Sequence, residues 1–259
     1  MTNWSLHTVI VVLGRLLVLA VILLGTELGV RYGVLSSLFF SGPTEIFTAF
    51  QNQFAQGTLV PNVGITVFET LLGLVAGSLS GMAVGLVLPQ MRILSRVFEP
   101  FLMVLNGIPV IVIAPLFILW LGLGISSKIG ISVYIVFFAT FIPVYTASLQ
   151  LERAFVDALR VMGASRWQIF WKVVVPSSMP SVYTGLKISS GLALIGAVIG
   201  EFVASRSGLG YMILYASGTL DTPTLYLGII TLAVFAAALS FAVDAMGPLL
   251  VHWRFADEK

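Results

Sequence analysis

The chain has no cysteine, which excludes disulfides and thiolate metal sites, and its two histidines, His7 and His252, sit near opposite ends of 259 residues. A histidine-built metal centre is therefore not expected, and nothing in the sequence calls for a cofactor. Charge is equally scarce. Only 9% of residues are charged, about a third of the share in a soluble domain. The formal net charge of +2 is not gathered into a basic run, so nucleic acid has no footing. Also missing are an H-E-x-x-H pair, a nucleophile elbow and paired carboxylates at catalytic spacing, which argues against a membrane enzyme.

What is abundant is apolar residues, at 58%, organised into stretches that approach or exceed the roughly 20 residues a helix needs to cross a bilayer. The expected fold is all-α and membrane-embedded, with six spans: Thr8 to Leu28, Asn62 to Leu88, Pro100 to Leu121, Ile129 to Gln150, Ser181 to Phe202 and Leu225 to Val251. The first reads as a retained span. No Lys or Arg precedes it and no small-x-small cleavage site follows it, unlike a signal peptide. Few residues remain for loops, so 1–259 is expected to form one transmembrane domain whose energy source lies in a partner.

The segments after spans two, four and six hold Arg92, Arg96, Arg153, Arg160, Arg166, Lys172, Arg254 and Lys259, whereas the alternate segments hold Arg31, Lys128 and Arg206. Eight against three places the termini and the loop from Leu151 to Pro180 in the cytoplasm. The first outer connection, Gly29 to Pro61, is broken by Gly42 and Pro43 and can carry a surface helix over Thr44 to Phe54. In span two, Gly73, Gly77, Gly81 and Gly85 recur every four residues, a helix face bare enough to form a packing seam. No internal repeat stands out, which weighs against an inverted-repeat carrier.

The loop from Leu151 to Pro180 interleaves apolar Ala158, Leu159, Met162, Trp167, Ile169 and Phe170 with Arg153, Asp157, Arg160, Arg166 and Lys172. That pattern gives amphipathic helices with an apolar and a charged face. Gly163 punctuates the middle. Ser165 and Gln168 form an S-x-x-Q capping pattern for a second short helix, and Pro176 and Pro180 are expected to end the motif before span five. Physics alone leaves two readings, a loop lying on the membrane or a docking element.

The string from Asp157 to Phe170, with Gly163 at its centre and Val174-Val175-Pro176 beyond, resembles the EAA loop of ABC importer permeases. It departs from the usual pattern at Asp157, where Glu is usual, and at Leu159, where a second Ala is usual. The resemblance covers roughly Val63 to Arg254. Phe117 to Gly124, Ser127-Lys128-Ile129 and Ser207 to Tyr211 look like the branch serving nitrate, sulfonate, taurine and bicarbonate, which also includes permeases for pyrimidine precursors and aromatic carboxylates. It implies a type I importer permease with Asp157, Ala158, Arg160, Met162, Gly163, Ala164, Ser165, Arg166, Trp167 and Phe170 forming the ATPase-coupling surface. It further implies a cytoplasmic ATPase dimer that binds ATP and Mg, a periplasmic or lipid-anchored solute-binding protein, a second permease copy, and residence in the bacterial inner membrane. A self-sufficient channel or carrier is the rival reading.

Ionisable residues within spans are costly and count as functional candidates. Arg15, Lys187 and Asp244 each lie about seven residues, roughly 10 Å, from the cytoplasmic end of their spans and are expected to pair or to snorkel. Glu69, beside Thr66 and Thr70, either lines a translocation path or orients a helix. Asn106, Tyr134, Tyr145 and Ser189 are the uncharged candidates for that path, helped by Thr140, Ser148 and the breaks at Pro109, Pro115 and Pro143.

Overall fold

A computed structural model describes residues 3–151 and 153–250, and no strand occurs among them. The long apolar helix α1 (Asn3–Arg31) leads to a surface helix, α2 (Pro43–Ala55), and then to α3 (Leu59–Val87). Next come α4 (Arg92–Asn106), α5 (Val110–Leu121) and α6 (Ile125–Leu149). Two short helices, α7 (Arg153–Val161) and α8 (Arg166–Ile169), precede α9 (Val175–Ala204), α10 (Leu209–Gly218) and α11 (Thr222–Leu250). Five stretches are long and apolar enough to cross a membrane, and α4 with α5 makes a sixth only as a pair bent by 102°. The surface helix expected at Thr44 to Phe54 is α2, one residue longer at each end.

The core is built around α6, which lies between α3 and α9. Ile131, Val136 and Val144 on α6 are wholly buried. The four glycines of α3 form the contact with α6. A methyl group added at Gly77 would stand 2.6 Å from Val136 Cβ, and one at Gly81 would meet the Phe137 carbonyl at 2.5 Å. On the opposite side Gly196 and Gly200 of α9 press equally closely on Ser132 and Lys128. Hydroxyls tie the same seam: Ser132 donates to the Ala193 carbonyl at 3.0 Å, Thr140 and Ser189 share a bond of 3.0 Å, and Ser148 meets Ser178 at 3.3 Å. Small residues that let backbones approach, with polar side chains as glue, are how helices associate in lipid.

Two expected boundaries are corrected. Span three is not one straight helix from Pro100 to Leu121, because the chain breaks at Gly107-Ile108-Pro109. Pro109 has no N–H to give the Leu105 carbonyl four residues back, and that carbonyl accepts instead from the Ile108 N–H at 3.1 Å and from the Tyr134 hydroxyl on α6. Nor do Pro176 and Pro180 end the loop motif. Helix runs from Arg166 to Ala204, passing Pro176 through a wide π turn at Phe170–Val174, where the Val175 N–H reaches back to the Phe170 carbonyl. Pro176 then sits in the first turn of α9, where a missing N–H costs little.

Candidate functional site

The segment from α7 to α8 is shaped by its turn. Gly163 has φ of +82°, the left-handed region that a side chain disfavours. Its N–H bonds the Arg160 carbonyl and the Ala164 N–H bonds the Leu159 carbonyl, both at 2.9 Å, a Schellman closure of α7. Ser165 then caps α8: its Oγ accepts from the Gln168 N–H at 3.3 Å, and the Gln168 side chain accepts from the Ser165 N–H at 2.8 Å. The turn between the two helices is thus closed by bonds within Leu159 to Gln168.

What this fixed turn presents is apolar and bare. Val161 is 89% exposed, Met162 81% and Trp167 68%. Trp167 stacks on Phe170 with ring centroids 6.0 Å apart, and Phe170 is half-buried against Leu86, Val144, Val174 and Val182. Ile169 is buried, so α8 is rooted in the core by one side and open on the other. Asp157 and Arg160 form an exposed pair at 3.2 Å, and Ala158, Ser165 and Arg166 are also exposed, with Ala164 half-buried.

At the other end of the bundle, near the start of α6, charges are hidden. Glu69 on α3 and Lys128 on α6 pair at 2.6 Å, with side chains 0% and 5% exposed. Glu201 of α9 is wholly buried beside them. It accepts from Thr66 Oγ1 at 2.6 Å and from the Gly210 N–H. Thr66 Oγ1 in turn accepts from the Leu209 N–H at 2.8 Å, and Asn62 Oδ1 accepts from the Gly208 N–H at 2.7 Å. Three consecutive N–H groups at the start of α10 are therefore held by α3 and α9, with a carboxylate at the positive end of the helix. Lys128 also donates to Ser205 Oγ at 3.0 Å, so the knot joins α3, α6, α9 and α10.

Lys128 and Glu201 are the residues that sequence reasoning missed. Lys128 was expected in an outer connection, but it lies inside α6 and is 4% exposed. Glu201 carried a usable signal, as an acid still within span five and four residues before a small-residue turn. Of the five residues expected along a path, Glu69, Tyr145 and Ser189 are buried within the single chain and hold helices together. Tyr145 bonds Ser95 at 2.7 Å and donates to Glu99 at 3.1 Å. Tyr134 is half-buried and Asn106 exposed, both at the α4–α5 break. Lys187 pairs with Asp244 at 2.7 Å, while Arg15 has no ion-pair partner among the described residues.

Residues 69–254 match the family described as "Binding-protein-dependent transport system inner membrane component", and the chain belongs to that family. It is 31% identical to an ABC transporter permease of Haemophilus influenzae over 88% of this chain and 93% of that one. It is also 31% identical to the riboflavin transport system permease protein RibX of Chloroflexus aurantiacus, over 93% and 90%. An aliphatic-sulfonate permease, SsuC of Bacillus subtilis, is 28% identical over 86% and 80%. The fold matches the MetNI methionine ABC transporter in an inward-facing conformation, with a TM-score of 0.64 at 22% identity, covering 74% of this chain and 95% of that one. The chain is therefore a multi-pass integral membrane permease component of an ABC importer.

Proposed function

We propose that this chain is the conduit and lever of an ATP-driven importer, with hydrolysis performed by a separate cytoplasmic ATPase dimer that binds ATP and Mg. The observation that carries the reading is the bare apolar turn at Val161, Met162 and Trp167, held in shape by Gly163 and Ser165. An apolar turn left bare beside a membrane bundle supports docking of a partner protein. When the ATPases close, the turn moves, and α8 transmits the movement because it continues directly into α9.

The orientation that serves this role has both ends of the bundle's outer chain and the α7–α8 turn in the cytoplasm, across a bacterial inner membrane. With Lys128 inside α6, the basic residues of the alternate connections fall from three to Arg31 and Arg206, which sharpens the charge asymmetry. The basic positions Arg254 and Lys259 lie outside the described residues. A second copy of the chain is the other wall of the path, and a periplasmic or lipid-anchored binding protein delivers the solute. The solute is small. Relatives named for riboflavin and for sulfonates support an organic solute, an anion among the options.

The test is reconstitution in liposomes with the cognate ATPase and binding protein, comparing wild type with Gly163→Arg. ATP-dependent uptake that disappears together with ATPase association in the variant supports the coupling turn. Transport that proceeds without ATP and is untouched by the variant overturns it in favour of a self-sufficient carrier.

A further inference from the structure

Between α4, α5 and α6 lies an open groove of about 580 Å³ whose walls include Leu102, Leu105, Phe117, Tyr134, Phe137 and Phe138. None of the residues lining it is charged, and its volume is that of a small-molecule site, roughly 300–1,000 Å³. The rings form a chain: Phe117 meets Tyr134 at 6.0 Å, Tyr134 meets Phe138 at 5.2 Å and Phe138 meets Phe137 at 5.0 Å, each edge to face. The Tyr134 hydroxyl is already committed to the Leu105 carbonyl, so apart from the Ser126 hydroxyl the groove's side chains offer mainly ring and aliphatic surface.

The depth of the groove says what it faces. Ser95 on α4 is level with Tyr145 on α6, and Leu105 is level with Tyr134, so α4 and α6 run antiparallel side by side. Leu105 is then nine residues below the start of α6 at Ile125, roughly 13 Å at about 1.5 Å per residue. That is within the membrane. There the helix breaks, and Asn106, Gly107 and Pro109 are exposed on the single chain. Non-helical backbone at membrane depth does not face lipid hydrocarbon; it lines a water-filled cavity or is covered by protein.

We propose that this groove is a solute subsite on the translocation path, taking the planar ring of an organic solute against Phe117, Tyr134, Phe137 and Phe138 while the solute's polar or charged group stays in water beside Asn106. The inference rests on the permease reading and narrows its solute to ring-bearing molecules. Aromatic faces and edges favour planar rings at centroid separations of about 4.5–7 Å, and a ringless solute forgoes those ring contacts.

The probes are riboflavin, cytosine and benzoate, with taurine as the ringless competitor, in equilibrium dialysis against the full-length permease in lipid nanodiscs, empty discs serving as the blank. At least one ring probe should be retained saturably, and excess taurine should not displace it. Val133→Trp, which fills the groove, should weaken retention by about tenfold or more, and Phe137→Leu, which keeps bulk but removes a ring, should weaken it less. Both variants should still associate with the ATPase. Retention of no ring probe, displacement by taurine, or equal retention by wild type and Val133→Trp would overturn the subsite. So would disulfide cross-linking of Val133→Cys to a second copy that proceeds at the same rate with and without saturating ring probe, because the groove would then be packed against the partner subunit rather than open to solute. Failure of the wild type to associate with any ATPase would instead defeat the permease reading, whatever the dialysis shows.

Discussion

At the α10 end of the bundle, Glu69, Lys128 and Glu201 are charged groups hidden from solvent among one another; at the α7–α8 turn, Val161, Met162 and Trp167 are apolar groups left bare. Each arrangement is expensive in isolation and tells what surrounds it. Buried charges persist only where partners compensate their desolvation, and here the partners all come from the same chain, through Thr66, Asn62 and the start of α10. Glu201 is satisfied within the chain, and Glu69 is held by its ion pair with Lys128, although its second carboxylate oxygen and the neighbouring Thr70 hydroxyl are buried without a hydrogen-bond partner among the described residues. The turn differs: its backbone is satisfied by Gly163 and Ser165, yet its apolar side chains have no cover. Charges paired within the chain at one end and apolar groups left bare at the other are what a rigid scaffold carrying a docking lever requires.

If that contrast is right, removing one member of the knot should do the most damage. Lys128→Met leaves Glu69 buried without its cation, and breaking a buried pair on one side costs about 3–5 kcal/mol. Detergent-solubilised protein should show a markedly lower Tm and poor yield. The double variant Glu69→Leu with Lys128→Met should recover much of it, since replacing both charges by apolar groups of similar size removes the desolvation cost. A double variant no better than the single one would mean the pair also does something that packing cannot replace. Next is Gly77→Leu on the α3 seam, where even the first carbon of the new side chain would stand 2.6 Å from Val136 Cβ and 2.9 Å from the Val133 carbonyl. Overpacking of this kind costs about 1–3 kcal/mol, again read as a fall in Tm.

The contrast was only half legible in the sequence. The turn could be read almost in full, because its signals are local: a glycine at the helix end, S-x-x-Q at the next start, and charged residues alternating with apolar ones all act within a few residues. The glycine seam of α3 was legible for the same reason, as a four-residue period. The knot was not. Glu69 and Glu201 are separated by 132 positions, and Lys128 looked like an outer-loop charge until α6 was seen to start at Ile125. Which charges meet depends on helix registry, which the packing of α6 between two glycine faces decides and no local pattern states. The bend at Gly107-Ile108-Pro109 is intermediate: Pro109 signals a freed carbonyl, but only the fold shows Ile108 and Tyr134 taking it up.

At the turn itself the effects should be smaller in stability and larger in coupling. Gly163→Ala forces a side chain into φ of +82°, about 1–2 kcal/mol for the left-handed conformation. Because α7 is separate from the core, the Tm of the bundle should barely change while ATP-dependent uptake falls. A Tm drop as large as that of Lys128→Met would show that the turn is part of the scaffold after all. Ser165→Ala removes the cap of α8 and should cost about 1 kcal/mol locally, with a partial loss of uptake.

Trp167→Ala is the mildest change to the permease alone and the sharpest test of the contrast. The side chain is 68% exposed and its ring contacts are to Phe170 and Trp171, so truncation at the surface should shift stability by no more than about 0.5 kcal/mol. Binding to the ATPase should nevertheless weaken clearly, because an exposed tryptophan on a rigid turn is the type of residue that anchors an interface, with losses of about 2 kcal/mol or more on truncation. The measurement is a pair: thermal unfolding of the permease alone, and its affinity for the ATPase in nanodiscs. A variant that unfolds like wild type and binds like wild type would remove Trp167 from the docking surface and move the contact to Val161 and Met162, whose greater exposure makes them the next anchors to truncate.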